Sequence, residues 1–223
     1  MSSNVTRAEL DGAAVYTETG LSIYDTVVLT LSNPYVWGCH TDHMLALYTE
    51  HTTDDHLDIG PGTGWYLRET TFPPDPRVAL FDLNENSLAM AADRLRRRGI
   101  SPHLHSGSIL HPLPIDHRFG SVAANSVLHC VPGRWDAKGV AFEHIAAVTA
   151  DDGVFFGSTV LSEGVPSGRL AWAVRGIYNQ LGIFHNGEDD LDGLRRALSQ
   201  AFAEVVITVR GSVALWTARG PRR

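Results

Sequence analysis

The segment His56-Leu57-Asp58-Ile59-Gly60-Pro61-Gly62-Thr63-Gly64 constrains this chain more than any other. It sets an acid inside a short apolar run and three glycines at alternate positions just after it. A strand that ends on such glycines and runs into a helix, here from Trp65, builds a turn whose bare backbone lets a ligand lie close. Asp58 can hold that turn or reach a cationic group of the ligand. A second acid, Asp82, closes the next apolar run, Arg77 to Asp82, where a carboxylate can accept both hydrogen bonds of a ribose diol. The two segments together describe an adenosine site; the alternative is a strand-to-helix turn without a ligand.

Glycine spacing separates the adenosine ligands. A dinucleotide turn follows G-x-G-x-x-G, its third glycine allowing a helix to pack beneath a pyrophosphate. Here that third position is Trp65, and a bulky indole opposes the dinucleotide reading.

Around this segment the chain alternates strands and helices, which predicts a parallel sheet covered on both faces. Strands are expected at His56 to Ile59, Arg77 to Asp82, Pro102 to Ser108, Ser121 to Asn125 and Gly153 to Leu161. Asn84 or Asn86 can cap a helix with its stripe at Leu88, Ala91, Ala92 and Leu95. Leu170, Val174, Ile177 and Leu181 mark a later helix, and Leu191, Leu194 and Leu198 another. Glu204 to Val209 and Ser212 to Ala218 meet across Arg210-Gly211 as an antiparallel hairpin. The first fifty or so residues read as helical, broken at Asn33-Pro34.

With 223 residues, the chain fits one domain with a substantial core, and no apolar run is long enough for a membrane span. The amino-terminal residues lack the pattern of a secretory signal, and two separated cysteines suit a reducing cytoplasm. A net charge of −7 opposes a nucleic acid partner, and Arg94, Arg96, Arg97 and Arg98 read as a solvated helix end. Cys39, His40 and His43 do not complete a tetrahedral metal site, so no metal is expected. Oligomeric state is not readable from these patterns.

The acid, single residue and alternate glycines, with Asp82 after the next strand, resemble the class I S-adenosylmethionine (SAM)-dependent methyltransferases from about residue 55 onward. The resemblance implies an α/β, Rossmann-like, doubly wound and mostly parallel seven-stranded sheet, with an antiparallel C-terminal hairpin and an N-terminal helical cap. It implies SAM as cofactor and a small-molecule acceptor methylated on oxygen or nitrogen. A single domain is expected, with residues 1–54 as a helical lid, 55–223 as the SAM-binding core and 162–188 as an insertion lining the acceptor pocket. By the same resemblance Asp58, Gly60, Gly62 and Gly64 bind the methionine part of SAM, and Asp82 with Leu83 the ribose. The family often has an acid after strand three; here the stretch is Gly107-Ser108-Ile109, so Ser108 and Ile109 are the expected adenine contacts. Asn125 and Ser126 open a segment resembling the family's fourth motif, beside the sulfonium. Tyr24-Asp25 and Tyr35-Val36-Trp37 are similar to segments of small actinobacterial or fungal methyltransferases. A non-catalytic SAM-binding module, or an enzyme acting on a peptide, protein or RNA, is the alternative.

Methyl transfer from SAM requires an aligned nucleophile, exclusion of water and, for some acceptors, removal of a proton. His129 is the first candidate base, since an imidazole can titrate near neutrality; otherwise it fixes its loop. His185 is the second candidate, or an exposed loop residue. Tyr24 and Trp37 form either an aromatic lid over the sulfonium or ordinary core. His40, Cys130, Tyr178, Asn179 and Phe184 are the expected acceptor pocket.

Overall fold

The computed structural model describes Thr6 and residues 32–223. Tyr24 and Asp25, with the rest of the expected amino-terminal lid before residue 32, lie outside the described residues. Along the chain come α1 (Thr41–His51), β1 (Asp55–Ile59), α2 (Trp65–Glu69), β2 (Arg77–Asp82), α3 (Glu85–Arg96), β3 (His103–Ser106) and β4 (Phe119–Asn125). A 3-10 turn (Leu128–Cys130) follows, then α4 (Trp135–Lys138), α5 (Val140–Ala147), β5 (Thr149–Val160), α6 (Arg169–Gln180), α7 (Leu191–Ala201), β6 (Phe202–Arg210) and β7 (Val213–Pro221).

The strands form one seven-stranded sheet in the order β3-β2-β1-β4-β5-β7-β6. All pairs from β3 to β5 are parallel, and β7 runs antiparallel to both β5 and β6. Strand order reverses between β1 and β4, which opens a crevice at their carboxyl ends. Register brings Ile59 beside Phe81 and Ala124, Asp82 beside Ser106, and Asn125 beside Ser158, so the candidate residues emerge along one edge.

Side-chain alternation explains why the central strands are apolar throughout. Leu57, Ile59, Phe81, Val122 and Phe155 pack on one face with Phe142 and Trp216, while Val78, Leu80, Ala123 and Phe156 pack on the other with Leu67, Ala91 and Leu95. Asn84 caps α3 as expected, its side chain accepting from the amides of Asn86 and Ser87 at 2.8 and 3.3 Å. Asp190 caps α7 by accepting from the Gly193 amide at 2.6 Å.

The later helix forms as expected in α6, and the reading of the arginine cluster needs correction. In α6 the buried residues are Ala171 and Arg175, whereas Leu170, Ile177 and Leu181 are exposed, because one side of this helix packs on the aromatic group described below. The arginine cluster is also more than a solvated face. Arg98 donates to the carbonyls of Leu67 and Thr70 at 2.6 and 2.7 Å, and Arg94 reaches Thr63 Oγ1 at 3.3 Å, so α3 grips the glycine turn and α2.

Candidate active site

The glycine turn is closed by its own backbone and held from α3 by Arg94 on Thr63. The Gly60 amide donates to the Phe81 carbonyl at 2.8 Å, and the Gly64 amide to Pro61 at 2.8 Å. Gly64 has φ 74°, and a Cβ there would stand 2.8 Å from Ala91 Cα, so only glycine lets α3 pack against the turn. Gly62 differs: a Cβ there would meet nothing within 4 Å. The middle of the turn is thus a cradle open toward a ligand, a fit for the tail of an adenosyl amino acid.

Asp58 is buried beneath this cradle. Its Oδ2 accepts from the Tyr48 hydroxyl at 2.8 Å and lies 3.6 Å from His56 Nε2. The acid therefore ties α1 to β1, and burial and then the adjacent Asp58 charge raise the Tyr48 phenol well above its usual range. Asp82 is half-buried at the end of β2. Its Oδ1 accepts from the Asn84 amide at 2.8 Å, and burial nevertheless pushes the carboxyl up to about 7. An acid so placed is improved by further donors such as ribose hydroxyls. Leu83 beside it is half-buried, and the Gly107 amide donates to the Asp82 carbonyl at 3.1 Å, binding the loop after β3 to this end. Ser108 is half-buried in that loop. Ile109, expected against adenine, is instead buried in the core on one sheet face, where apolar neighbours claim its side chain.

At the end of β4, the Asn125 side chain accepts from the Ser158 hydroxyl and the Ser126 amide donates to the Ser158 carbonyl at 2.9 Å. Ser126 takes φ 59°, a left-handed conformation costing about 1–3 kcal/mol that surrounding structure must hold in place. That twist turns Val127 back over the glycine turn, where a Cβ on Gly60 would lie 2.4 Å from Val127 Cγ2.

The acceptor-side candidates gather around Phe184. Its ring lies 5.7 Å from Trp37, 4.3 Å from His129 and 5.0 Å edge-on from Tyr178, and Cys130 packs on the same group. Residues far apart in the chain thus share one aromatic wall. Asn179 is turned away from this role, since its Nδ2 donates to the Arg175 carbonyl and to Asn186 Oδ1, both at 2.9 Å. Asn186 in turn donates to the Val160 carbonyl at 2.8 Å, fastening the loop to β5. His40 is exposed at the start of α1, outside the buried group.

His129 does not have the near-neutral imidazole expected of a base. The ring is only 5% exposed, and its Nδ1 accepts from the Val160 amide at 3.3 Å, which leaves Nε2 as the protonated nitrogen. Burial first, and the Lys138 charge second, hold its pKa down to about 3. His129 is a neutral N–H donor. The His185 amide donates to the His129 carbonyl at 2.7 Å, so the two histidines sit on adjoining backbones. Among the described residues, His185 Nε2 is buried without a hydrogen-bond partner.

Sequence reasoning missed Tyr48 and Lys138 as site-building residues. Tyr48 lies in the amino-terminal stretch read only as helical, and Lys138 carries no spacing signal at all. No group of three or more potential metal ligands occurs among the described residues.

A doubly wound sheet with this strand order, a glycine cradle at its reversal point and an acid at the end of β2 define a Rossmann-like nucleoside-binding enzyme. Comparison with known proteins agrees. A family model described as a methyltransferase domain matches residues 57–157. The chain is 43% identical to demethylluteothin O-methyltransferase of Streptomyces thioluteus, over 94% of this chain and 91% of that protein. It is 37% identical to the N-methyltransferase vrtF of Penicillium aethiopicum, over 83% of this chain and 78% of that protein. Among solved structures, DhpI in complex with SAH has the same fold, with TM-score 0.69 and 16% identity over 98% of this chain and 100% of that one. The chain belongs to the methyltransferase domain family and is a SAM-dependent methyltransferase.

Proposed function

We propose that this enzyme methylates an oxygen atom, a phenol or enol, on a small and largely apolar aromatic product of secondary metabolism. The observation that carries the reading is the wall of Trp37, Tyr178 and Phe184 with the neutral His129 beside it: aromatic surface for a flat ring, and one N–H donor. The relatives that act on oxygen and on nitrogen support a small acceptor, and the neutral donor favours oxygen.

SAM supplies a methyl group already activated on a positive sulfur. In this reading Gly60, Gly62 and Gly64 receive its amino-acid end, with Asp58 holding the cradle from below. Asp82 and Leu83 take the ribose, Ser108 borders adenine, and Asn125 and Ser126 lie beside the sulfonium. Trp37 closes the chamber from the amino-terminal side. His129 Nε2–H donates to the acceptor oxygen and favours its deprotonated form, and His185 is the group left to receive the proton. We also assign the protein to the cytoplasm, acting without nucleic acid. Neither Cys39 nor Cys130 is in a disulfide, and among the described residues no helix is long and apolar enough to cross a membrane.

The test is incubation with SAM and separate panels of hydroxylated aromatics, aromatic amines, peptides and RNA, read by mass spectrometry. Methyl gain on hydroxylated aromatics, reduced about 10²-fold or more by His129→Phe, is the expected result. Methylation confined to amines, peptides or RNA overturns the acceptor assignment.

A further inference from the structure

Lys138 is fully buried at the end of the short helix α4. On one side its Nζ donates to the Leu128 carbonyl at 3.1 Å and the Val131 carbonyl at 3.5 Å. On the other it donates to Asp189 Oδ2 at 2.6 Å and the His185 carbonyl at 3.5 Å. The first two carbonyls bracket His129 and Cys130; the second pair follows Phe184. One ammonium therefore spans the two backbone segments that form the acceptor wall. We propose that Lys138 is a positioning residue for methyl transfer: it clasps the segment carrying His129 to the segment carrying Phe184 and His185 without touching the acceptor.

The inference rests on the acceptor side assigned above, and its physical basis is the weakness of the alternatives. Buried ion pairs are replaceable by apolar pairs of similar size with little or no loss of stability, so packing alone gives no reason for a lysine here. The Leu128 and Val131 carbonyls lie in a tight turn, and an ammonium with rotating donors can serve several such oxygens at once. Its charge also faces His129, together with the Val160 amide, Thr159 and Phe184, while Asp189 and Cys130 face Lys138 itself and Asp190 faces Asp189.

The test uses the whole chain carrying Lys138→Met with Asp189→Leu, which removes both charges at similar volume. Three readouts are taken: SAH affinity by calorimetry, the His129 ring by nitrogen-15 NMR titration, and turnover of SAM with 2-hydroxy-1,4-naphthoquinone. SAH affinity is expected within about twofold of the parent, His129 to titrate at higher pH, and kcat/KM for the quinone to fall about tenfold or more. A variant that binds SAH but keeps the parent His129 titration and turnover overturns the proposal. If the parent does not methylate the quinone, turnover is read with a hydroxylated aromatic that it does methylate; if it methylates none, the acceptor reading has failed, and hydrogen exchange of the His185 amide, which donates to the His129 carbonyl across the two segments, decides: unchanged overturns the clasp, faster supports it. Should the double variant not fold, Lys138→Gln is read by the same criteria.

Discussion

The donor and acceptor sides of this enzyme are built by opposite means. The donor side is local: Gly60 to Gly64 close a turn on backbone hydrogen bonds, and Asp82 follows from the next strand end. The acceptor side that we propose is assembled at long range, from Trp37 before α1, His129 and Lys138 after β4, and Phe184 and Asp189 in the loop after α6. A short motif can specify a turn because its backbone angles dictate residue type, whereas a wall of packed rings can be repacked with other residues of similar volume. One family can therefore keep its methyl donor while its acceptors diverge.

The sharpest way to break this division is Gly64→Val, where positive φ and the 2.8 Å approach to Ala91 leave no room. It should cost more than about 3 kcal/mol in chemical denaturation and abolish SAH binding. Phe184→Ala is next. Loss of a buried ring should remove about 3 kcal/mol of stability and raise acceptor KM, with SAH affinity unchanged at a temperature where the variant is folded. If SAH affinity falls too, the two sides are not separable.

Asp82→Ala should act the other way, weakening SAH by about 1–3 kcal/mol in calorimetry while leaving the acceptor wall intact. The same carboxyl gives a pH test. Burial raises it to about 7, so in the ligand-free chain its contribution to stability is present below its ordinary unfolded pKa near 4 and is lost as pH rises through 7. Ribose donors favour the charged form, so SAH affinity should increase as pH rises toward 7, and binding at about pH 6 should release a proton, measurable in buffers of different ionisation enthalpy. Uptake of a proton would contradict the ribose assignment. The smallest effect is expected for Asn179→Ala, about 1 kcal/mol of stability with acceptor KM little changed, because its amide is spent on Arg175 and Asn186.

What was legible in the sequence follows the same division. The alternation of strands and helices, the hairpin, a cap at Asn84 or Asn86 and the glycine turn all rest on local periodicity or backbone preference, and each was readable in advance, whereas the spatial order of the strands was not. His129 was placed correctly along the chain, but its protonation was not, because pKa depends on the burial and the Lys138 charge that only the fold supplies. Ile109 and Asn179 show a related limit: their positions in the chain do not reveal that one packs into the core and that the amide of the other bonds Asn186. The stripe on α6 located the helix, but apolar periodicity shows that a helix has a face, not which face is covered.

The tip of the β6–β7 hairpin carries a wider consequence. Gly211 lies so close to the Trp37 carbonyl that a Cβ there would sit 2.1 Å away, and the Ser212 amide donates to that carbonyl at 2.8 Å. One panel of the proposed acceptor chamber is thereby hung from the sheet edge most distant in strand order from β3. Alterations to this outer ribbon should register as changed choice of acceptor before they register as weaker hold on the methyl donor.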